Sequence, residues 1–411
     1  MERTGYSLIT STGVFITFIL MFSLVVYDGV LGANDASSFT LFRYRCNVTI
    51  IIQGDVSDIK DINRIVIFPN TTKQMIFFED VKCVVNDRDV MWHLMVDDDD
   101  GNAVLTLDLS QSPIGNGSII IIYFSVKIVQ RAITCNISID ELKRDTLDNI
   151  PLNLAELYSS NGSTWPVPIE IHNLSRELAG NSRNIFDILS AFSKWIEENI
   201  AYPLNQSAKV IIGPQYPDET YKMRVGDCDD CSILFTTMCR ALGIPSLLQI
   251  GGVPDLASRR EVVRYHGNYV YKSSGIAWHA WSMVYFPSVG WMPVDLTYFN
   301  GAKVELMPGG LAYIRSPTGL APRIVSSAYF EANPIIYANI TTLDYVSWVR
   351  AWENAIAEGR VRYMLTEELV VLDDSFLIPI EVPLILGSVL VLTLFITYLQ
   401  FKRRKCLLKE M

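Results

Sequence analysis

The stretch that decides the fold is Arg224-Val-Gly-Asp-Cys-Asp-Asp-Cys-Ser-Ile-Leu-Phe-Thr-Thr-Met-Cys-Arg-Ala-Leu-Gly-Ile-Pro245. It predicts a helix from about Cys228 to Leu242, because Gly243 closes the pattern and a proline follows shortly after. A broad apolar face on this helix indicates that it packs in a core. Cys228 lies where a glycine-containing loop becomes the helix, and there the N–H groups and the positive end of the helix dipole favour a thiolate. The sequence therefore predicts Cys228 as a nucleophile.

A second motif supplies the base and the acid that a thiolate nucleophile requires. The chain has four histidines, and His279 lies in the alternating, strand-like segment 276–286. A tight turn follows, and we expect Tyr285 to pair with Trp291 across it. Asp295 then lies diagonal to His279 on the same face, where backbones are about 7–8 Å apart and side chains can meet. A carboxylate there fixes the imidazole tautomer and stabilises the imidazolium.

Three carboxylates surround the predicted nucleophile, namely those of Asp227, Asp229 and Asp230. They complement the N-terminus of a helix, but their negative charge opposes the ionisation of a neighbouring thiol. The site therefore needs a compensating cation. His279 is the natural candidate for this cation.

At these residues the sequence resembles the transglutaminase-like superfamily. The resemblance rests on four segments: Gly226-Asp-Cys228, Arg240-Ala-Leu-Gly-Ile-Pro245, Trp278-His-Ala-Trp281 and Trp291-Met-Pro-Val-Asp-Leu-Thr297. It covers roughly residues 155–298. It implies a papain-like α+β core in which Cys228 is the nucleophile, His279 the base and Asp295 the orienting acid. The family includes cross-linking transferases, peptidases and inactive proteins, so the resemblance implies thiol acyl chemistry on amides without choosing among them.

Cys231 departs from the family pattern, which commonly has an aromatic or other non-thiol residue at this position. A buried helix residue is the interpretation that we favour. The Cys-Asp-Asp-Cys pair also allows a reversible disulfide with Cys228 that silences the enzyme, or a metal site. Zinc needs further ligands at regular spacing, and the sequence has no second pair of this kind. The sequence therefore predicts no metal and no cofactor.

The chain divides into six segments by composition and pattern. We expect a signal peptide or N-terminal membrane anchor at 1–33, a β-sandwich-like domain at 39–150, a transglutaminase-like catalytic domain at 155–310, a C-terminal extension with a helix at 311–378, a transmembrane helix at 380–401 and a basic cytoplasmic tail at 402–411. Six runs rich in Ile, Val, Phe and Tyr predict the strands of the second segment: Val48–Ile52, Ile65–Phe68, Met75–Phe78, Val90–Val96, Ala103–Leu109 and Ile119–Val129. Its acidic run 97–102 is interpreted as a solvated hairpin turn, with a calcium loop as the alternative. The predicted fold class is α+β throughout the catalytic domain.

The two apolar ends predict where the protein lies. About eighteen uncharged residues, close to the minimum for a bilayer span, precede Lys402-Arg-Arg-Lys405. This basic flank marks the cytoplasmic side, so the body is expected outside the cell. Eight glycosylation sequons between the apolar ends suggest a glycosylated surface, at Asn47, Asn70, Asn116, Asn136, Asn161, Asn173, Asn205 and Asn339. The net charge of −10 excludes nucleic acid as a partner, because phosphate binding needs a basic surface.

Together these patterns predict a membrane-anchored, extracytoplasmic, cysteine-dependent enzyme. It acts on amide bonds of protein or peptide substrates through Cys228, His279 and Asp295. Hydrolysis and transfer of the acyl group to an amine use the same triad, and both stay open. The alternative is a surface adhesion or assembly module that keeps the transglutaminase fold without turnover. Three tryptophans either line a substrate groove or pack around the site: Trp278, Trp281 and Trp291.

Overall fold

The computed structural model describes residues 39–96, 100–131, 138–158, 165–205, 208–209, 211, 213–255, 261–328 and 334–372. The predicted N-terminal leader at 1–33, the membrane helix at 380–401 and the basic tail at 402–411 lie outside these residues. Among the helices that are described, none is long and apolar enough to cross a bilayer.

Seventeen strands lie in the described part of the chain, and they form four sheets. Their bounds are β1 Phe39–Ile52, β2 Arg64–Ile67, β3 Gln74–Val85, β4 Arg88–Asp89, β5 Trp92–Val96, β6 Ala103–Leu107, β7 Ile119–Arg131, β8 Tyr202–Pro203, β9 Ser246–Pro254, β10 Val262–His266, β11 Tyr269–Ser274, β12 Ile276–Phe286, β13 Gly290–Val294, β14 Lys303–Met307, β15 Leu311–Arg315, β16 Ile335–Ile340 and β17 Val361–Val371. Four segments predicted as strands coincide with β2, β5, β6 and β7, and the other two fall within the longer β1 and β3.

Eight α-helices are described, together with a 3-10 turn at Leu147–Asn149. Their bounds are α1 Ile139–Leu142, α2 Leu152–Tyr158, α3 Ile169–Ala179, α4 Ile185–Asn199, α5 Pro217–Met223, α6 Cys228–Ala241, α7 Ala321–Ala328 and α8 Tyr345–Ala357. The helix predicted from about Cys228 to Leu242 is confirmed as α6. Asn184 and Asp344 cap α4 and α8, because their side chains accept the N–H groups of Asp187 and Ser347.

The first hydrophobic core lies between two sheets. One has seven strands in the order β10-β11-β17-β1-β7-β3-β4, and the other has three in the order β2-β6-β5. Along β1 every even-numbered residue from Phe42 to Ile52 is buried, so one face of the larger sheet points into the core. Phe68 and Leu105, from the side of the smaller sheet, are buried in the same cluster. A β-sandwich-like domain at 39–150 stays a prediction, since three strands of the larger sheet, β10, β11 and β17, come from later parts of the chain.

The larger sheet crosses the segment boundaries predicted from sequence. β17, from the C-terminal extension, pairs antiparallel with β1 from Phe42↔Val371 to Ile52↔Val361. Its other edge pairs in parallel with β11, which belongs to the predicted catalytic segment. The boundaries at 39–150, 155–310 and 311–378 stay predictions, but the hydrogen bonds of one sheet join all three segments.

A second core carries the helices and the sheet β13-β12-β9-β16. Phe192 of α4 and Phe235 of α6 meet edge to face, with ring centroids 6.4 Å apart. Val284 of β12 and Val294 of β13 are fully buried in the same cluster. Helix α6 therefore lies against the hairpin β12–β13, and this contact brings the two sequence motifs together.

The strands β5 and β6 on either side of the acidic run 97–102 form an antiparallel hairpin, and Asp100 in that run binds another part of the protein. Val96 pairs with Ala103, as the hairpin interpretation predicts, while residues 97–99 lie outside the described part of the chain. The Asp100 carboxylate accepts the N–H groups of three consecutive residues before α8, at 3.0, 2.7 and 3.2 Å. Asp100 therefore holds the hairpin tip against residues 341–343.

Replacing Asp100 by alanine should lower the free energy of unfolding by about 2 kcal/mol, because several backbone donors lose their acceptor at once. Urea unfolding followed by tryptophan fluorescence measures the change. The matched control is Asp89→Ala, since Asp89 is exposed on β4. A loss at Asp100 no larger than at Asp89 would show that the hairpin tip contributes nothing to stability.

Candidate active site

The turn into α6 is tight and requires glycine at position 226. A Cβ atom there would lie 2.8 Å from Cβ of Asp230 and 3.0 Å from Cγ2 of Thr220, too close without a shift. The Asp230 carboxylate accepts the N–H of Asp227 at 3.1 Å, which closes the first turn of the helix. Cys228 is thereby placed at the first position of α6, half-buried at its N-terminus.

Three buried hydroxyl-bearing residues fix α6 against β12. Thr236 Oγ1 donates to Ser282 Oγ at 3.1 Å, and Ser282 Oγ donates to the carbonyl oxygen of Ser232 at 3.1 Å. These bonds lie in the core, where leaving one unmade is costly. They set the distance between the start of the helix and the strand that carries His279.

The hairpin β12–β13 has the predicted register, with Tyr285 opposite Trp291. Asp295 follows the last residue of β13, and its Oδ2 lies 2.6 Å from His279 Nε2. Its other oxygen, Oδ1, accepts the N–H groups of Thr297 and Tyr298, both at 2.9 Å. The carboxylate is 1% exposed and is therefore held in one orientation.

His279 lies between Asp295 and Cys228. Its side chain is within hydrogen-bonding reach of the Cys228 thiol. Because Nε2 faces Asp295, Nδ1 is the nitrogen left for the thiol. Burial acts against the imidazolium, but the charge and hydrogen bond of Asp295, followed by the interaction with Cys228, raise the pKa of His279 well above its usual value. The site thus favours a positively charged imidazole beside the thiol.

The acidic start of α6 contains a second cation that the sequence analysis missed. Lys209 Nζ lies 2.9 Å from Asp227 Oδ2 and 2.7 Å from Asp230 Oδ2. Gln215 also binds Asp230, through its backbone N–H at 2.7 Å and its side-chain amide at 2.8 Å. No sequence motif marks Lys209, since it becomes relevant only through its three-dimensional contacts with Asp227 and Asp230.

The same carboxylates are the residues that most resemble a metal-binding group. Among the described residues, ligand atoms of Asp227, Asp229 and Asp230 lie within 4.8 Å of one another. The Lys209 ammonium group occupies the space between two of them. A bound cation there would have to displace the lysine, so the donor set fits an ion pair rather than a metal site.

Cys231 has the role of a buried helix residue. It is 3% exposed, and its thiol donates to the carbonyl oxygen of Gly226 at 3.5 Å. Burial, followed by the negative charge of Asp230, raises the pKa of Cys231 well above its usual value. Cys228 and Cys231 are both free thiols in this structure.

The comparisons with known proteins place this site in a family. Residues 172–296 match the family model of the transglutaminase-like superfamily, and the matched range contains Cys228, His279 and Asp295. This segment is a transglutaminase-like superfamily domain. Its core combines α3, α4 and α6 with the sheet that contains β12 and β13.

Similar solved structures include bacterial and fish proteins. A proposed cysteine protease from Cytophaga hutchinsonii is 14% identical, with a TM-score of 0.46, over 82% of this chain and 92% of that one. The periplasmic domain of TgpA from Pseudomonas aeruginosa is 16% identical, with a TM-score of 0.27, over 63% and 90%. Red sea bream transglutaminase is 11% identical, with a TM-score of 0.26, over 62% and 46%. No curated protein matches this sequence significantly.

A buried arginine beyond the transglutaminase-like domain supports Asp295. The backbone carbonyl of Arg323 in α7 accepts the N–H of Asp295 at 3.1 Å, and its guanidinium donates to the carbonyl oxygen of Leu296. The guanidinium also pairs with Glu197 of α4 at 2.7 Å. Arg323 thus forms hydrogen bonds with the N–H of Asp295 and with the carbonyl oxygen of Leu296, on either side of the peptide bond that joins these two residues. The sequence alone contains no signal for this role.

Replacing Arg323 by methionine should lower the free energy of unfolding by about 3 kcal/mol, because Glu197 then loses the partner of a largely buried ion pair. Thermal or urea unfolding measures the loss. Lys194→Met is the matched control, since Lys194 lies on α4 with Glu198 as an exposed partner. Equal stability of the two variants would contradict a bracing role for Arg323.

The three tryptophans named from the sequence all have packing partners. Trp278 donates to Glu367 at 2.8 Å and stacks on Phe68 of the first core. Trp281 is buried and donates to Gln249 at 3.1 Å. Trp291 contacts Tyr158 and Tyr285 edge to face. These contacts favour the packing interpretation over a substrate groove.

Proposed function

We propose that this protein is a membrane-anchored, extracytoplasmic cysteine enzyme that cleaves or transfers the acyl group of protein or peptide amides. Cys228 is the nucleophile, His279 the general acid and base, and Asp295 the residue that orients His279. The observation that carries the proposal is the arrangement of the histidine, whose Nε2 lies 2.6 Å from Asp295 and whose side chain also interacts with the Cys228 thiol.

The chemistry follows from these positions. The Cys228 sulfur attacks the amide carbonyl carbon, and the carbonyl oxygen becomes an oxyanion. The first N–H groups of a helix have no backbone partner within it, and those of Cys228 and Asp229 are suited to stabilise that charge, whereas the N–H of Asp230 is bound by the Asp229 carboxylate at 3.1 Å. The carbon–nitrogen bond then breaks as His279 gives its proton to the leaving amine. This leaves a thioester on Cys228, and Asp295 keeps the imidazole aligned throughout.

The second half of the reaction decides between a hydrolase and a transferase. Water or an amine attacks the thioester, and His279 removes the proton of whichever nucleophile enters. The carbon–sulfur bond breaks, and the product is a carboxylic acid or a new amide. Both routes use the same three residues, so substrate access after acylation chooses between them.

The proposed location rests on the sequence pattern. The segment predicted to span the membrane, 380–401, has no charged residue from Leu384 to Phe401 and is followed by the basic tail at 402–411, a pattern typical of a span with a cytoplasmic C-terminus. The sequons in the body are compatible with an outer location. The segment 1–33 supports the same side for the body, whether it is cleaved or kept as an anchor.

The test uses the full-length chain in detergent micelles with a peptide mixture rich in glutamine and lysine and a biotinylated alkyl amine. Mass spectrometry distinguishes three products: new N-termini from peptide cleavage, a one-dalton gain from side-chain deamidation, and biotin incorporation from transfer. Any of these that disappears in Cys228→Ala supports the proposed activity. If no product forms across varied peptide mixtures while Cys228 is reduced, the non-enzymatic surface module becomes the better interpretation.

A further inference from the structure

Lys209 forms an ion pair with two carboxylates at the start of α6, next to Cys228. Lys209 is almost completely buried, with 8% of its side chain exposed. Its ammonium group contacts Asp227 and Asp230, which are one residue before and two residues after Cys228. Burying a lysine costs free energy unless it is paired, so this position depends on the carboxylates.

The negative charge of these carboxylates opposes a thiolate at Cys228, and the Lys209 ammonium group carries the opposite charge. Asp230 is fully buried, and Asp227 and Asp229 lie on either side of Cys228. A like charge nearby disfavours an anion. The dipole of α6 favours the thiolate, but unbalanced negative charge on these carboxylates at the same helix end opposes it.

We propose that Lys209 is a positioning residue whose positive charge keeps the acidic start of α6 compatible with a thiolate at Cys228. This inference rests on the proposed function, because it assigns Cys228 as the nucleophile. Lys209 acts through Asp227 and Asp230 and does not touch the substrate. Lys209, the second cation of the site, balances charge, whereas His279 exchanges protons.

Other ionisable groups face this cluster from the surrounding elements, and they remain unchanged in the test. They are Asp229 on α6, Tyr202 on β8, His279 on β12, and Tyr345, Arg350 and Glu353 on α8. Tyr345 donates to Asp229 at 3.4 Å. Burial, followed by the charge of Asp227, raises the pKa of Asp230 to about 7, even though Lys209 acts in the opposite direction.

The test compares the full-length chain with Lys209→Gln, which keeps a hydrogen-bond donor but removes the charge. The measured quantity is the rate of Cys228 alkylation by iodoacetamide between pH 4 and 10, mapped by mass spectrometry. We expect the pH of half-maximal rate to rise by about one unit in Lys209→Gln, with the rate at high pH preserved. Lys209→Arg should restore the wild-type profile, and Lys222→Gln, which changes an exposed lysine on α5, should not alter it.

A folded Lys209→Gln variant with the wild-type profile overturns the inference, even if it is less stable. If that variant does not fold, Lys209→Gln combined with Asp227→Asn restores the charge balance and should react with a wild-type profile. A shifted profile in this double variant also overturns the inference. Wild-type Cys228 that reacts no faster than the buried thiols, and that is indifferent to His279→Ala, overturns the proposed function and this inference together. If wild-type Cys228 is reactive and the Lys209 variants keep the wild-type pH profile, only the role of Lys209 is overturned.

Discussion

Cys228→Ala is expected to lower the rate of amide turnover by about 10⁵-fold or more, because removal of the nucleophile from a triad leaves only binding and oxyanion stabilisation. Cys228 is half-buried at the first position of α6, and His279 is the group within reach of its sulfur. The measurement is kcat/KM on the best peptide from the product screen. The same variant should still bind that peptide, since the helix and the hairpin are unchanged.

The matched control for this variant is Cys231→Ser, one helical turn away. A serine hydroxyl can keep the hydrogen bond to the carbonyl oxygen of Gly226. We expect its activity to stay within a few-fold of wild type. If Cys231→Ser loses as much activity as Cys228→Ala, the nucleophile is misassigned or the two cysteines act as a redox pair.

Asp295→Asn is expected to lower kcat by about 10³ to 10⁴-fold while leaving the fold intact. The reason is the hydrogen bonding of the carboxylate. Oδ1 accepts the N–H groups of Thr297 and Tyr298, so an asparagine must keep its oxygen there. Its amide NH₂ then faces His279 Nε2 and requires a lone pair on that nitrogen. The imidazolium loses its partner, and the pKa of His279 falls.

The pH dependence separates this effect from simple loss of structure. In the wild type the raised pKa of His279 keeps the imidazolium through neutral pH and loses it only as the pH rises through that higher value. In Asp295→Asn the proton is lost at lower pH, so Cys228 alkylation near pH 6 should slow more than alkylation near pH 9. Asp148→Asn, which changes an exposed partner of Arg183, serves as the control. A uniform fall at every pH would point to distortion of the site instead.

The local elements of the site could be predicted because they depend on short-range chemistry. The Gly-Asp-Cys order predicted the start of α6, and the structure gives the reason: no Cβ atom fits at position 226. The alternation of β12 and the turn after Phe286 predicted the register that pairs Tyr285 with Trp291. That register is enough to bring Asp295 beside His279. Period and turn chemistry are properties of neighbouring residues, and they are visible in one sequence.

Contacts between distant segments could not be predicted in the same way. The sequence pattern led to no strand prediction at 361–371, yet β17 lies between β1 and β11 in the largest sheet. Asp100 was expected to face solvent, but its acceptor capacity is used by residues more than two hundred positions later. Each of these pairings depends on a backbone partner that another part of the chain supplies.

The sequence by itself determined the nucleophile helix, the histidine hairpin and the acidic environment that made a compensating cation necessary. Only the tertiary structure decided how that environment is balanced and braced. Lys209 reaches Asp227 and Asp230 through three-dimensional contacts, and Arg323 holds the backbone at Asp295 from a helix beyond the transglutaminase-like domain. A periodic pattern shows which face of an element is buried, but the partner of a single buried charge is set by three-dimensional packing.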